Sequence, residues 1–131
     1  MNFIIDLFAS SDHPDSLGAK FRAKRLRKFE KLFFRNFNPE KEIQILDVGG
    51  TASFWKKSQI PNIPGVRITL LNLHLEKSRH PHISSMIGDA TEMKNFEDKE
   101  FDLVFSNSVI EHLYTFEKQS KMAREIQRVG R

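Results

Sequence analysis

The sequence predicts an α/β domain: a parallel β-sheet with helices packed beside it. Three observations carry that expectation. Short apolar runs recur at 43–48, 66–71, 83–87 and 101–105, a length that suits strands buried on both faces of a parallel sheet. Helical periodicity occupies 17–37 and 116–129. Each apolar run gives way at its C-terminal end to a polar residue, namely Asp47, Asn72, Asp89 and Ser106. In parallel α/β sheets ligands bind outside those carboxyl ends, so four polar tips in a row are hard to explain by packing alone.

Residues 1–16 hold the cluster Ser10, Ser11, Asp12, His13, Pro14, Asp15 and are expected to be a mobile lead-in. From Leu17 the pattern turns helical, with Phe21, Leu26, Phe29, Leu32, Phe33 and Phe37 at spacings of three to five until Asn38-Pro39 breaks it. Eight Lys or Arg lie between Lys20 and Arg35 against the single acid Glu30, a local balance of +7. The whole chain carries +4, so the rest carries −3 and the basic character belongs to this segment alone. A solvated face, contact with nucleic acid or another anionic partner, and contact with a membrane surface are three readings of it. No aromatic is interleaved on that face as a base-stacking platform needs.

The first strand ends in Asp47-Val48-Gly49-Gly50-Thr51. Two glycines let the backbone turn sharply and let a ligand lie close against it. A helix is expected to restart near Ser53, whose hydroxyl would cap it, and to stay short because Pro61 and Pro64 follow. The second strand ends at Asn72. His74, His80 and His82 then lie on a Pro-broken loop without helical spacing, so no metal site is expected. Gly88-Asp89-Ala90 closes the third strand, and Ser106-Asn107-Ser108 closes the fourth. A helical stretch begins at 109–113, and the helix 116–129 is followed by Gly130, where a C-cap glycine belongs.

At 131 residues this is one domain with an ordinary soluble composition, 39% hydrophobic and 29% charged. The absence of Cys excludes disulfides, thiolate metal sites and cysteine catalysis. No apolar run approaches the ~20 residues of a membrane span, and residues 1–9 lack the basic start of a signal peptide, so the cytoplasm is the expected location. The glycine turn fails the G-x-G-x-x-G spacing of a dinucleotide site, and no P-loop is present.

Ile-Leu-Asp-Val-Gly-Gly (45–50), Leu-Leu-Asn-Leu (70–73), Gly-Asp-Ala (88–90) and Phe-Asp-Leu-Val-Phe-Ser-Asn-Ser-Val-Ile-Glu-His-Leu (101–113) together resemble the class I S-adenosylmethionine-dependent methyltransferases, most closely their "type 11" group. The likeness covers about residues 20–129, and its last segment is the most specific. It implies a Rossmann-like parallel sheet with strand order 3-2-1-4, S-adenosylmethionine as cofactor and an unidentified methyl acceptor. By the same resemblance Asp47 organises the glycine turn and reaches toward the methionine amino group. Val48, Gly49 and Gly50 lie along the methionine and ribose, and Asn72 and Leu73 sit at the ribose position. Asp89 and Ala90 read the adenine, Ser106 and Asn107 flank the methionine, and His112 is a candidate base. Departures are Thr51 and Ser53 where the family often has glycine, and Asn72 where it usually has an acid; weaker binding is expected. Glu76, a possible substitute for that acid, is expected on a following helix. The family's sheet continues through strands 5–7, so the sequence reads as the cofactor half of such a domain, 17–131. Its strand 101–105 would be an open apolar edge through which copies self-associate. A cofactor-binding module without catalysis, or a nucleic-acid-binding protein acting through 20–35, are the alternatives.

Overall fold

A computed structural model describes residues 17–107 and 109–131, so the expected lead-in 1–16 lies outside the described residues. The chain divides into two compact units, Met1–Asn38 and Pro39–Arg131.

Among the described residues of the first unit one helix, α1, runs Leu17–Asn36. Ala19, Leu26 and Phe33 recur every seventh residue, fall on one line of the helix and are buried. The Phe33 ring stacks on Phe37 with centroids 5.3 Å apart and meets Phe34 edge-on. Phe21 and Leu32, expected on the apolar face, are exposed instead. At about 100° per residue they lie roughly a third of a turn from the buried line. The last turn closes when the Asn36 amide donates to the Leu32 carbonyl at 2.7 Å.

The second unit holds one four-stranded parallel sheet in the order β3-β2-β1-β4, with β1 Ile43–Val48, β2 Val66–Asn72, β3 Ile83–Ile87 and β4 Leu103–Ser106. The order matches the expectation. Strand β1 is central, pairing Ile45 with Ile68 on one side and with Leu103 on the other, and all its residues except Gln44 are buried. Leu46, Val48 and Leu71 form one core with Met93, Phe96, Phe101, Met122 and Val129. Fully burying such a side chain contributes about 1.5–3 kcal/mol.

Several local expectations are corrected. Strand β4 begins at Leu103, because the Asp102 carboxylate accepts from the Gln44 N–H at 2.8 Å and from Arg131 at 2.8 Å. Phe101, expected within that strand, makes a parallel bridge with Gly130. Gly130 is the helix C-cap, as expected, its N–H bonding the Ile126 carbonyl, though its backbone is extended, with φ −86°. Its lack of a side chain matters for packing, since a Cβ there would sit 3.0 Å from the Ile126 carbonyl and 3.2 Å from Val104. Between β2 and β3 the chain forms no helix, so Glu76 is half-buried in an irregular segment where its N–H donates to the Ser85 hydroxyl. After β4 comes only a 3-10 turn, Ile110–His112.

Helix α3, Phe116–Val129, follows it and is capped by the Thr115 hydroxyl; α2 is the short Ala52–Trp55. Arg128 on α3 holds the 93–98 segment in place. Its guanidinium donates to both Glu125 oxygens, to Asp98 and to the carbonyls of Phe96 and Met93, all at 2.8–2.9 Å. The Glu125 carboxyl is held below its ordinary range by the Arg128 bond and takes the Met93 N–H as well.

Candidate functional site

Strand β1 delivers Asp47 and Val48 to the carboxyl edge of the sheet, and the chain turns at once. Gly49 adopts φ +76°, a left-handed conformation that favours glycine, and its N–H donates to the Leu71 carbonyl at 2.7 Å. A Cβ on Gly49 would run into Val109, and one on Gly50 would run into the Asp47 carboxylate. The turn therefore lies flat against the acid beneath it. Helix α2 then restarts with Thr51 as its cap, the hydroxyl accepting from the Phe54 N–H at 3.4 Å. Ser53, the expected cap, is one residue inside the helix and its hydroxyl meets that of Thr51.

Asp47 is 1% exposed. The Trp55 indole N–H donates to its Oδ2 at 2.8 Å, and its Oδ1 is buried without a hydrogen-bond partner among the described residues. Burial disfavours the charged form and pushes the carboxyl up to about 7, with the Trp55 bond pulling the other way. Trp55 is itself buried and stands against Phe105 of β4, whose ring stacks on Phe54 at 5.5 Å.

The neighbouring tips close on this turn. The Asn72 amide donates to the Gly50 carbonyl at 2.8 Å. An acid in that place has no proton to give, so the exchange of acid for amide has a local structural reason. The Ser106 hydroxyl donates to the Val48 carbonyl at 3.2 Å, and the Gly88 N–H to the Asn72 carbonyl at 2.8 Å. One step further along the edge, the exposed Asp89 accepts both the hydroxyl and the N–H of Thr91 on Oδ1, each at 2.7 Å. The Thr91 hydroxyl bond is the main reason its carboxyl is held below the ordinary value.

Hydrogen bonds thus tie Ser106 to Val48, Gly49 to Leu71 and Asn72 to Gly50 around one turn, with Asp47 under it and Asp89 beside it. Ala90 packs on the core, Asn107 is half-buried, and Leu73 and His112 are exposed. His80 and His82 are spent on structure: His80 bonds Asn62 and the His82 N–H, and His82 bonds the Pro61 carbonyl. Sequence reasoning passed over Trp55, Val109 and Thr91. Of these only Trp55 left a signal, as the sole Trp of the chain, standing five residues past the glycine pair.

A 3-2-1-4 parallel sheet with a glycine turn after its central strand is the Rossmann-like arrangement expected of a class I methyltransferase domain. The chain belongs to the methyltransferase-domain family, whose sequence profile matches residues 48–131. No curated protein matches the sequence. Among solved structures it is similar to the CurJ carbon methyltransferase, with 13% identity and a TM-score of 0.63 over 87% of this chain and 34% of that one. The PH0226 protein of Pyrococcus horikoshii OT3 is similar at 18% identity, TM-score 0.64, over 99% and 60%. A chain of the Haloferax volcanii complex containing the Trm112 methyltransferase activator matches at 16% identity, TM-score 0.56, over 86% and 51%. At such identities the likeness is one of fold. The chain spans from about a third to 60% of the length of these structures.

Proposed function

We propose that this domain binds S-adenosylmethionine and serves methyl transfer to an acceptor nucleophile. The observation that carries the reading is the unpartnered, buried Oδ1 of Asp47 under a turn with no room for a Cβ at either glycine. A buried polar atom left unpaired costs on the order of 1–3 kcal/mol. A donor of positive charge, such as the cofactor's amino group acting directly or through water, would remove that cost. When bound, the cofactor would supply a methyl already activated on a sulfonium.

The chain's own residues then bind and orient. Val48, Gly49 and Gly50 offer backbone along the methionine and ribose, flanked by Ser106 and Asn107. Asn72, its amide N–H given to Gly50, keeps its carbonyl oxygen for a ribose hydroxyl. Asp89 keeps Oδ2 for the adenine amino group, with the Ala90 N–H beside the ring and Leu73 next to Asn72 at the ribose. His112 is the candidate base where an acceptor must lose a proton. A cytoplasmic location and self-association through the outer edge of β4, now confined to 103–106, belong to the same reading; a monodisperse monomer at high concentration would rule out the second.

The test is calorimetric titration of S-adenosylhomocysteine into the wild-type chain and into Asp89→Ala. Saturable binding that the variant weakens at least tenfold is expected. A folded wild-type chain that takes up no ligand would overturn the reading. Because the chain spans only part of the solved methyltransferase it resembles, a cofactor-binding module without catalysis is the second reading. Binding without methyl transfer across an acceptor panel would select it.

A further inference from the structure

We propose that the outward face of α1 docks on an anionic lipid surface. The argument rests on what that face contains. Its exposed positions carry seven cations, namely Lys20, Lys24, Arg25, Arg27, Lys28, Lys31 and Arg35, and no acid. Glu30, the one acid of the helix, is on the half-buried side. Among the described residues none of the seven joins an ion pair, since all five ion pairs lie between residues 92 and 131. Lys20, Lys24, Arg27, Lys31 and Arg35 follow one another at intervals of four, three, four and four, a stripe about 22 Å long at 1.5 Å per residue.

Beside that stripe stand large apolar groups that are partly exposed. Leu17, Phe21 and Leu32 are 48%, 41% and 50% exposed. At about 100° per residue they share a second line with Lys28, between the cation stripe and Arg25. Phe34, 50% exposed, borders the stripe on its other side. A narrow apolar line with cations on both sides is the arrangement of a helix lying in the plane of a bilayer. The rings and Leu side chains enter the acyl boundary while the Lys and Arg heads stay among anionic headgroups.

The same composition disfavours a polynucleotide. The outward face offers no Ser, Thr, Gln, Tyr or Trp to a sugar or a base edge, and the Asn36 amide is already given to Leu32. Half-exposed Leu gains nothing against a hydrated phosphate backbone, and of the exposed groups of α1 only Phe21 and Phe34, neither interleaved within the cation stripe, could stack on a base. The proposal is independent of the methyl-transfer reading and would survive its failure.

The experiment is co-sedimentation of the full chain with vesicles of phosphatidylcholine alone and of phosphatidylcholine mixed with phosphatidylserine, at low and high salt. Anisotropy with labelled single-stranded RNA and duplex DNA runs beside it. Binding to the anionic vesicles only, weakened by salt, is expected. Combined Lys20→Glu, Lys24→Glu and Lys31→Glu should lower the partition about a hundredfold or more. Separately, Phe21→Ser with Leu32→Ser should lower it at least tenfold with every cation in place. Circular dichroism on each variant checks that the helix persists, and the two residue sets give independent tests. No pelleting, equal pelleting with neutral vesicles, indifference to the apolar pair, or tighter binding to polynucleotide than to anionic vesicles would each overturn the proposal.

Discussion

Two polar clusters in the second unit handle the same physical problem in opposite ways. Around Arg128 every donor meets an acceptor: two oxygens of Glu125, Asp98 and two backbone carbonyls surround a guanidinium that is still partly in water. At Asp47 an acid is taken fully out of water, given one indole N–H and left with a buried oxygen unpaired. The first arrangement stabilises structure, because the charge keeps solvent and gains partners at once. The second costs stability in the free chain, which fits the proposal that a ligand completes it.

Replacing Asp47 sharpens this contrast most. The folded carboxyl titrates near 7 and the unfolded one near 3.8, so the folded state holds the extra proton between those values. The contribution of this group to stability is largest below about pH 4, falls as pH rises, and levels off above 7. The gap is worth at most about 4 kcal/mol. Asp47→Asn keeps an acceptor for Trp55 and removes the charge, so it should stabilise the chain at pH 8, with the gain vanishing near pH 4. Urea denaturation at the two pH values reads it, and a pH-independent effect would break the contrast. The same variant should bind S-adenosylhomocysteine more weakly despite its greater stability.

Gly50→Ala should cost about 3 kcal/mol, because the carboxylate its Cβ would meet is pinned by Trp55 and cannot swing away. A thermal melt within a degree of wild type would show that the turn has slack. Trp55→Phe should cost about 2 kcal/mol at pH 8 and less at pH 6, since the lost N–H matters most to the ionised acid. Equal losses at both pH values would mean that Trp55 acts through packing alone. Smallest is Asn72→Asp, expected to cost about 1 kcal/mol by removing the bond to the Gly50 carbonyl. Faster amide exchange at Gly49 and Gly50 would accompany it.

The strands were legible in the sequence because each is a short apolar run closed by Gly, Asn or Asp, and a buried parallel strand needs little more. The order of the strands came from the family resemblance, and β4 shifted by two residues because Asp102 spends its backbone and side chain on Gln44 and Arg131. On α1 periodicity located the helix yet misassigned Phe21 and Leu32, since spacings of three to five admit two neighbouring lines and only packing selects one. The Asp47–Trp55 bond was not legible. Eight residues separate the pair, and their meeting depends on how tightly two glycines fold the chain back. Nor was the Asn72 bond to Gly50, which joins residues 22 apart through sheet register.

That indole has a practical consequence. Trp55 is the chain's single tryptophan, it is buried, and its N–H is given to a carboxyl that titrates near neutrality. Whatever protonates, ionises or ligates Asp47 alters the field along the indole dipole. The protein therefore carries a built-in optical probe, and its emission should shift with pH through 7 and settle when the site is filled, with no label attached.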